Sequence, residues 1–162
     1  MEKQIRQWIE NSLSEPRAEY SNLPACPYAR RGLIDGSIYF WPAAPEKTIF
    51  ENLREMAIAM PGWTHTTACV YWQHTQDQDT LWQGVEQFDL AYPDLLAFVS
   101  DPGDWRESIA GAQLAPPPCQ IVNIHWREEI ENVRPLLWLS GYYANWSSEE
   151  LSAIEYLTYQ KK

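Results

Sequence analysis

Several features that often identify a protein's function are scarce in this 162-residue chain. Its three cysteines are odd in number and widely spaced, which argues against a disulfide framework and favours the cytosol. No run approaches the ~20 apolar residues needed to span a bilayer, and no apolar run follows the N-terminus. We therefore expect a cytoplasmic protein with neither a membrane anchor nor a signal peptide.

Basic residues are also few. Lys and Arg total 12 against 22 Asp and Glu, which gives a formal net charge of −10. This acidic balance disfavours sequence-independent binding to nucleic acid or to anionic membranes. We expect the partner to be a small-molecule ligand or another protein.

The short motifs of common catalytic and metal sites are missing. No glycine-rich phosphate loop follows a predicted strand, and no Gly-x-Ser-x-Gly elbow is present, so nucleotide-dependent and serine-hydrolase mechanisms have no motif support. No Cys-x-x-Cys or His-Glu-x-x-His pair supplies closely spaced metal ligands. The sequence therefore indicates no particular cofactor.

Tryptophan and tyrosine are abundant, with nine of each against only four phenylalanines. Both side chains combine a large apolar area with a polar group, so they recur at interfaces and in ligand pockets. Two interpretations follow. Either a small domain uses them in its core, or some of them line a pocket or an interface.

Alternating helical and strand patterns predict one α/β domain over residues 1–162. We expect a single layered sandwich in which helices flank a small, mostly parallel or mixed sheet of about four strands. Residues 1–22 form an N-terminal helix and loop in this prediction, and 141–162 form a C-terminal helical extension. The predicted strands cover 37–41, 66–72, 95–99 and 119–125.

Cys26 is the first candidate for chemistry. Pro27 suits the first position of a helix, which makes Cys26 the expected N-cap at the positive end of the helix dipole. With Arg30 or Arg31 one turn further on, the thiol pKa is expected to fall, which would make Cys26 a nucleophile or a metal ligand. The alternative is a small buried residue at a helix start.

Two resemblances involve the same residues. Cys26-Pro27-Tyr28-Ala29 resembles the Cys-Pro-Tyr tetrad of glutaredoxins, but Ala29 replaces the second cysteine, which speaks against that family. The element is also similar to the Cys-Pro-Phe-Ala element of an uncharacterised bacterial family, in which a Thr-Thr pair opens an apolar strand. Thr66 and Thr67 would be that pair here. This resemblance implies a fold and no mechanism.

Strand alternation indicates which polar side chains can meet. Cys119, Asn123 and His125 share one strand face, and His65, Thr67 and Cys69 share another. If these strands are neighbours and the faces coincide, His65, Cys69 and His125 gather near Cys26 as a mixed Cys/His site suited to zinc or iron. The alternative is a set of core cysteines and hydrogen-bonded histidines.

Three hypotheses about function follow. In the first, the chain is a thiol-assisted small-molecule enzyme with a Trp/Tyr-rich pocket. In the second, it is a noncatalytic binding or regulatory protein that uses exposed aromatics of the 141–146 segment as a protein interface. In the third, it binds a metal through cysteine and histidine. The enzyme hypothesis assigns catalysis to Cys26, His125 and His65, and substrate binding to Arg30, Arg31, Tyr28, Thr66, Thr67 and Asn123, with an arginine holding an anionic group.

Overall fold

The computed structural model of this chain describes residues 1–60, 67–104 and 108–152. In the first half lie α1 (Glu2–Trp8), β1 (Pro16–Arg17), β2 (Leu23–Pro24), α2 (Pro27–Asp35), β3 (Ile38–Pro42) and α3 (Ile49–Ala59). The second half contains β4 (Thr67–Tyr71), α4 (Gln78–Ala91), β5 (Leu95–Ser100), β6 (Ser108–Ile109), β7 (Ala112–Gln113), β8 (Ile121–Trp126) and α5 (Arg127–Leu139).

A mixed four-stranded sheet with the order β3-β4-β8-β5 forms the centre of the domain. β3 and β4 are parallel, and β8 pairs antiparallel with both β4 and β5. The predicted α/β class with a mostly parallel or mixed sheet of about four strands is confirmed, and of these two alternatives the sheet is mixed. β3, β4 and β5 run in the same direction. The helices between them, α3 and α4, each return the chain to the end of the sheet at which the preceding strand began. Between β5 and β8 the described residues form no crossover helix, and β8 lies antiparallel between β4 and β5.

Helices cover both faces of this sheet. Residues of α3 and α4, such as Leu53 and Phe88, pack with Val70 and Val122 on one face. On the other face, residues of α1 and α2 pack against alternate residues of the same strands, because successive strand side chains point to opposite faces. This second cluster contains Ile5, Trp8, Ala29, Ile38, Phe40, Cys69, Tyr71 and Ile121.

Local signals in the sequence fix several helix ends. Cys26 caps α2 with extended backbone angles and Pro27 opens the helix, as predicted, and Gly36 ends it with a φ of 71°. Because proline suits the first position of a helix, Pro45 predicts a helix start, but α3 begins at Ile49. The reason is that the side chains of Thr48 and Glu51 form a reciprocal capping box that satisfies the first free N–H groups.

The segment that follows α5 packs against the rest of the domain. Tyr142 and Tyr143 are buried and Trp146 is half-buried, and all three contact one another. The predicted exposed aromatics of 141–146 are therefore wrong for these side chains. The Ser-x-x-Glu spacing of Ser147 and Glu150 predicts a capping box, and two hydrogen bonds between these residues confirm it. Residues 153–162 lie outside the described ranges.

Among the helices of the described ranges, none combines the length and the apolar character needed to cross a bilayer.

Candidate functional site

A cavity of about 250 Å³ lies on the side of the sheet that α1 and α2 cover. The start of α2, one side of α5 and the segment after α5 complete its walls. Most of the lining is apolar or aromatic: Trp8, Ile9, Ala25, Pro27, Tyr28, Ala29, Ile38, Phe98, Ile130, Leu137, Tyr142, Tyr143 and Trp146. The polar lining residues are Cys26, Thr67, Asn123, His125 and Arg134.

Sheet register brings the polar residues of two strands together. Thr67 on β4 lies directly opposite His125 on β8, and Cys69 lies opposite Asn123. A hydrogen bond of 3.1 Å joins Oγ1 of Thr67 to Nδ1 of His125. The predicted polar faces of β4 and β8 therefore lie on the same side of the sheet. Thr67, Asn123 and His125 line the cavity from this side.

Burial determines the protonation of His125, whose side chain is only 8% exposed. The ring of Tyr28 lies 5.9 Å from the imidazole on one side, and the ring of Phe98 lies 5.6 Å from it on another. Because burial penalises the charged form, the pKa of His125 is lowered to about 4. At neutral pH the imidazole is uncharged and acts as a hydrogen-bonding group.

Cys26 lines the same cavity, but its thiol is not activated. Burial raises the pKa of Cys26, and the backbone N–H groups of Ala29 and Tyr28 at the helix start offset only part of that effect. The predicted lowering of the pKa is wrong, because desolvation outweighs the helix N-terminus. Tyr28 is affected in the same way, since burial raises the pKa of its hydroxyl to about 12.

The state of this thiol predicts its reactivity. We expect the rate of Cys26 carbamidomethylation by iodoacetamide to rise with pH without levelling off at or below pH ~8.5, the pKa of an ordinary thiol. Mass spectrometry of samples quenched at each pH measures that rate. In the Cys26→Ser control, Cys69 and Cys119 are both buried and should react only after unfolding. A rate that is already constant between pH 7 and pH 8 would show an activated thiolate and contradict this account.

The two arginines predicted to hold an anionic group lie elsewhere. Arg30 and Arg31 are exposed, neither lines the cavity, and Arg31 pairs with Asp35 at 3.5 Å. The arginine that does line it is Arg134, on α5. The spacing of Ile130, Arg134 and Leu137 places all three on one face of α5. An arginine within an otherwise apolar helix face is the feature of the sequence that indicates a polar group in the cavity.

Two of the predicted site residues, His65 and Thr66, lie outside the described residues. Cys69 is fully buried in the core and does not line the cavity beside Cys26. Within 1–60, 67–104 and 108–152, no three Cys, His, Asp or Glu side chains are grouped so that they can hold a metal ion. The Cys/His metal site stays a prediction.

Fold and site together define a class: a small α/β domain in which an aromatic-lined cavity lies between a mixed sheet and the helices on one of its faces. Comparison with protein-family models, curated proteins and solved structures finds no match for the chain. The resemblance to the bacterial Cys-Pro-Phe-Ala family therefore stays a prediction.

Proposed function

We propose that this chain binds a small, mainly apolar organic molecule in the cavity beside Cys26. The observation that carries the proposal is a cavity of about 250 Å³ whose walls are mostly apolar and aromatic and which only a few polar side chains line. Ligand sites typically combine apolar walls with a small number of placed polar groups. Because drug-sized ligands occupy cavities of roughly 300–1,000 Å³, this one suits a compact molecule with one ring or two fused rings.

Asn123 supports a ligand in particular. Its half-buried side-chain amide lines the cavity and makes no hydrogen bond within the described part of the chain. A primary amide has two N–H donors and an acceptor oxygen. A ligand with a complementary donor or acceptor can therefore form a hydrogen bond with Asn123 inside the cavity.

Thiol-assisted catalysis in the same cavity stays a second hypothesis. Cys26 and His125 both line the cavity, as that hypothesis requires. However, burial raises the pKa of Cys26 and lowers that of His125 to about 4, so proton transfer from thiol to imidazole is unfavourable in the free protein. Catalysis would therefore need a bound ligand that shifts both protonation states.

Filling the cavity tests the binding proposal. The probes are 2-naphthoate and its uncharged analogue 2-naphthamide, measured by isothermal titration calorimetry. We expect saturable binding of at least one probe, and at least a tenfold loss of affinity in Leu137→Trp, since Leu137 lines the cavity and an indole would occupy it.

Leu136→Trp is the matched control, because Leu136 is the adjacent residue of α5, is 61% exposed and does not line the cavity. It should bind the probes as the unmodified chain does. Circular dichroism and thermal melting establish that both variants fold. If neither probe binds the unmodified chain, or if both variants lose affinity equally, the cavity is not the binding site.

A further inference from the structure

We infer that the ligand carries a carbonyl oxygen that accepts hydrogen bonds from the Nε2–H of His125 and from the side-chain amide of Asn123, on the sheet side of the cavity. This inference rests on the proposed function and specifies the chemical class of its ligand. Ketones, amides and carboxylic acids share this oxygen. The apolar remainder of the molecule would lie between the aromatic walls.

Thr67 decides which ring nitrogen of His125 carries the proton. Since burial lowers the pKa of His125 to about 4, the imidazole is uncharged at neutral pH, and one nitrogen donates while the other accepts. Thr67 is buried, and within the described residues its hydroxyl has no hydrogen-bond partner other than Nδ1 of His125. Because a buried hydroxyl hydrogen needs an acceptor, Thr67 donates to Nδ1, and we assign the imidazole proton to Nε2.

The Nε2–H of His125 is a buried donor that the protein leaves unpaired. Only 8% of the residue is exposed, yet Nε2 forms no hydrogen bond with any residue of 1–60, 67–104 or 108–152. Nε2 is one of the ring atoms farthest from Cβ, so it lies away from the backbone of β8, on the face of the sheet that borders the cavity. A ligand in the cavity satisfies this donor if it supplies an acceptor.

Neighbouring side chains fix the direction of this donor. The rings of Tyr28 and Phe98 pack against the imidazole, with centroids 5.9 Å and 5.6 Å from it, and Thr67 holds Nδ1 at 3.1 Å. The imidazole therefore need not reorient when a ligand binds. Because little conformational entropy is lost, the hydrogen bond from Nε2 contributes to affinity.

Asn123 supplies a second donor beside this nitrogen. It precedes His125 by two residues on β8, so both side chains project from one face of the sheet. Their backbone positions are roughly 7 Å apart along the strand, a spacing that leaves room for one ligand atom between the two side chains. A carbonyl oxygen has two lone pairs and accepts from two donors at once, so it matches this pair.

The proton position is tested directly on the unmodified chain. Long-range proton–nitrogen NMR correlation on protein with isotope-labelled histidine distinguishes protonated from unprotonated ring nitrogens. At pH 7 we expect His125 to be protonated at Nε2, and we expect its Nε2–H signal to move to higher frequency when 2-acetylnaphthalene binds. A proton on Nδ1, or an Nε2–H signal that bound 2-acetylnaphthalene leaves unchanged, would overturn the inference.

Variants test the two contacts with a pair of probes, 2-acetylnaphthalene and 2-isopropenylnaphthalene, which differ in that a methylene group replaces the carbonyl oxygen. Equilibrium dialysis measures the ratio of their dissociation constants. We expect Asn123→Leu and His125→Phe each to shift this ratio at least threefold in favour of the hydrocarbon, because each variant removes one hydrogen bond to the oxygen. A variant that merely reshapes the cavity would weaken both probes and leave the ratio unchanged.

Asn132→Leu and His74→Phe are the matched controls, because both residues are exposed and neither lines the cavity. They should leave the ratio as it is in the unmodified chain. Circular dichroism and thermal melting establish that each variant folds. If His125→Phe does not fold, Asn123→Leu and the NMR measurement on the unmodified chain still decide the question.

The outcomes distinguish this inference from the proposed function. If 2-naphthoate, 2-naphthamide and 2-acetylnaphthalene all fail to bind, the proposed function itself fails. If they bind but Asn123→Leu and His125→Phe keep the ratio of the unmodified chain, the cavity binds small molecules without recognising a carbonyl oxygen. Where the ratio shifts as expected, tighter binding of 2-naphthoate than of 2-naphthamide identifies an acid as the source of the oxygen, and the reverse identifies an uncharged carbonyl compound.

Discussion

We expect the free energy of unfolding to fall by about 3 kcal/mol between pH 6.5 and pH 4 through the titration of His125 alone. In the folded chain the pKa of His125 is lowered to about 4, whereas in the unfolded chain it returns to ~6.5. Between these values the unfolded chain binds a proton that the folded chain does not bind. Stability therefore decreases as the pH falls through this range, and above pH ~7.5, where the ring is uncharged in both states, His125 contributes almost no pH dependence.

Urea unfolding at half-unit intervals from pH 4 to pH 7.5 measures this effect. Acidic groups titrate in the same range, so the informative quantity is the difference between the unmodified chain and His125→Gln, which lacks the titrating ring. His74→Gln serves as the matched control, because His74 is exposed and does not line the cavity. If stability falls with pH as steeply in His125→Gln as in the unmodified chain, the imidazole is not held neutral by burial.

The elements that local sequence determines could be predicted. Cys26 and Pro27 fix the start of α2, and Ser147 with Glu150 fixes the capping box after α5, because each signal acts within a few residues. Strand alternation also indicated that Thr67 and His125 could share a face, and the register of β4 and β8 places them opposite each other. The helix caps could be predicted from a few neighbouring residues, and the shared strand face from the two-residue periodicity of each strand.

Long-range packing explains what the sequence did not indicate. The pKa of Cys26 depends on burial, and Cys26 packs against the cluster of α1, α2 and strand residues, some of which, such as Ile121, are about a hundred positions away. A local helix dipole was visible in the sequence, but the larger desolvation effect was not. Arg134 was missed for the same reason, since only the fold shows that its helix face borders the cavity.

Tyr142 holds the 141–146 segment, which follows α5, against the rest of the domain. The residue is 4% exposed, its ring stacks on Tyr20 with centroids 5.3 Å apart, and it forms a T-shaped pair with the ring of Tyr143 at a centroid distance of 4.9 Å. The Tyr142 hydroxyl donates a hydrogen bond to the backbone carbonyl of Ala25, next to Cys26. The side chain therefore joins the C-terminal segment directly to the start of α2.

We expect Tyr142→Ala to lower the free energy of unfolding by about 3–5 kcal/mol, the usual cost of deleting a buried aromatic ring. Tyr142→Phe, which keeps the ring and removes the hydroxyl, should cost about 1 kcal/mol. Leu139→Ala is the control from the same region, because that side chain is 86% exposed and its truncation should change stability by less than about 0.5 kcal/mol. Urea unfolding of the three variants measures these differences.

The same variants test whether the segment forms part of the binding site. Because Tyr142 and Tyr143 line the cavity, Tyr142→Ala should also weaken binding of 2-naphthoate under conditions where the variant is folded, whereas Tyr142→Phe should retain most of it. If Tyr142→Ala lowers the free energy of unfolding no more than Leu139→Ala does, the 141–146 segment does not pack on the domain. Its aromatic side chains would then be available as an interface, and the cavity would lose one of its walls.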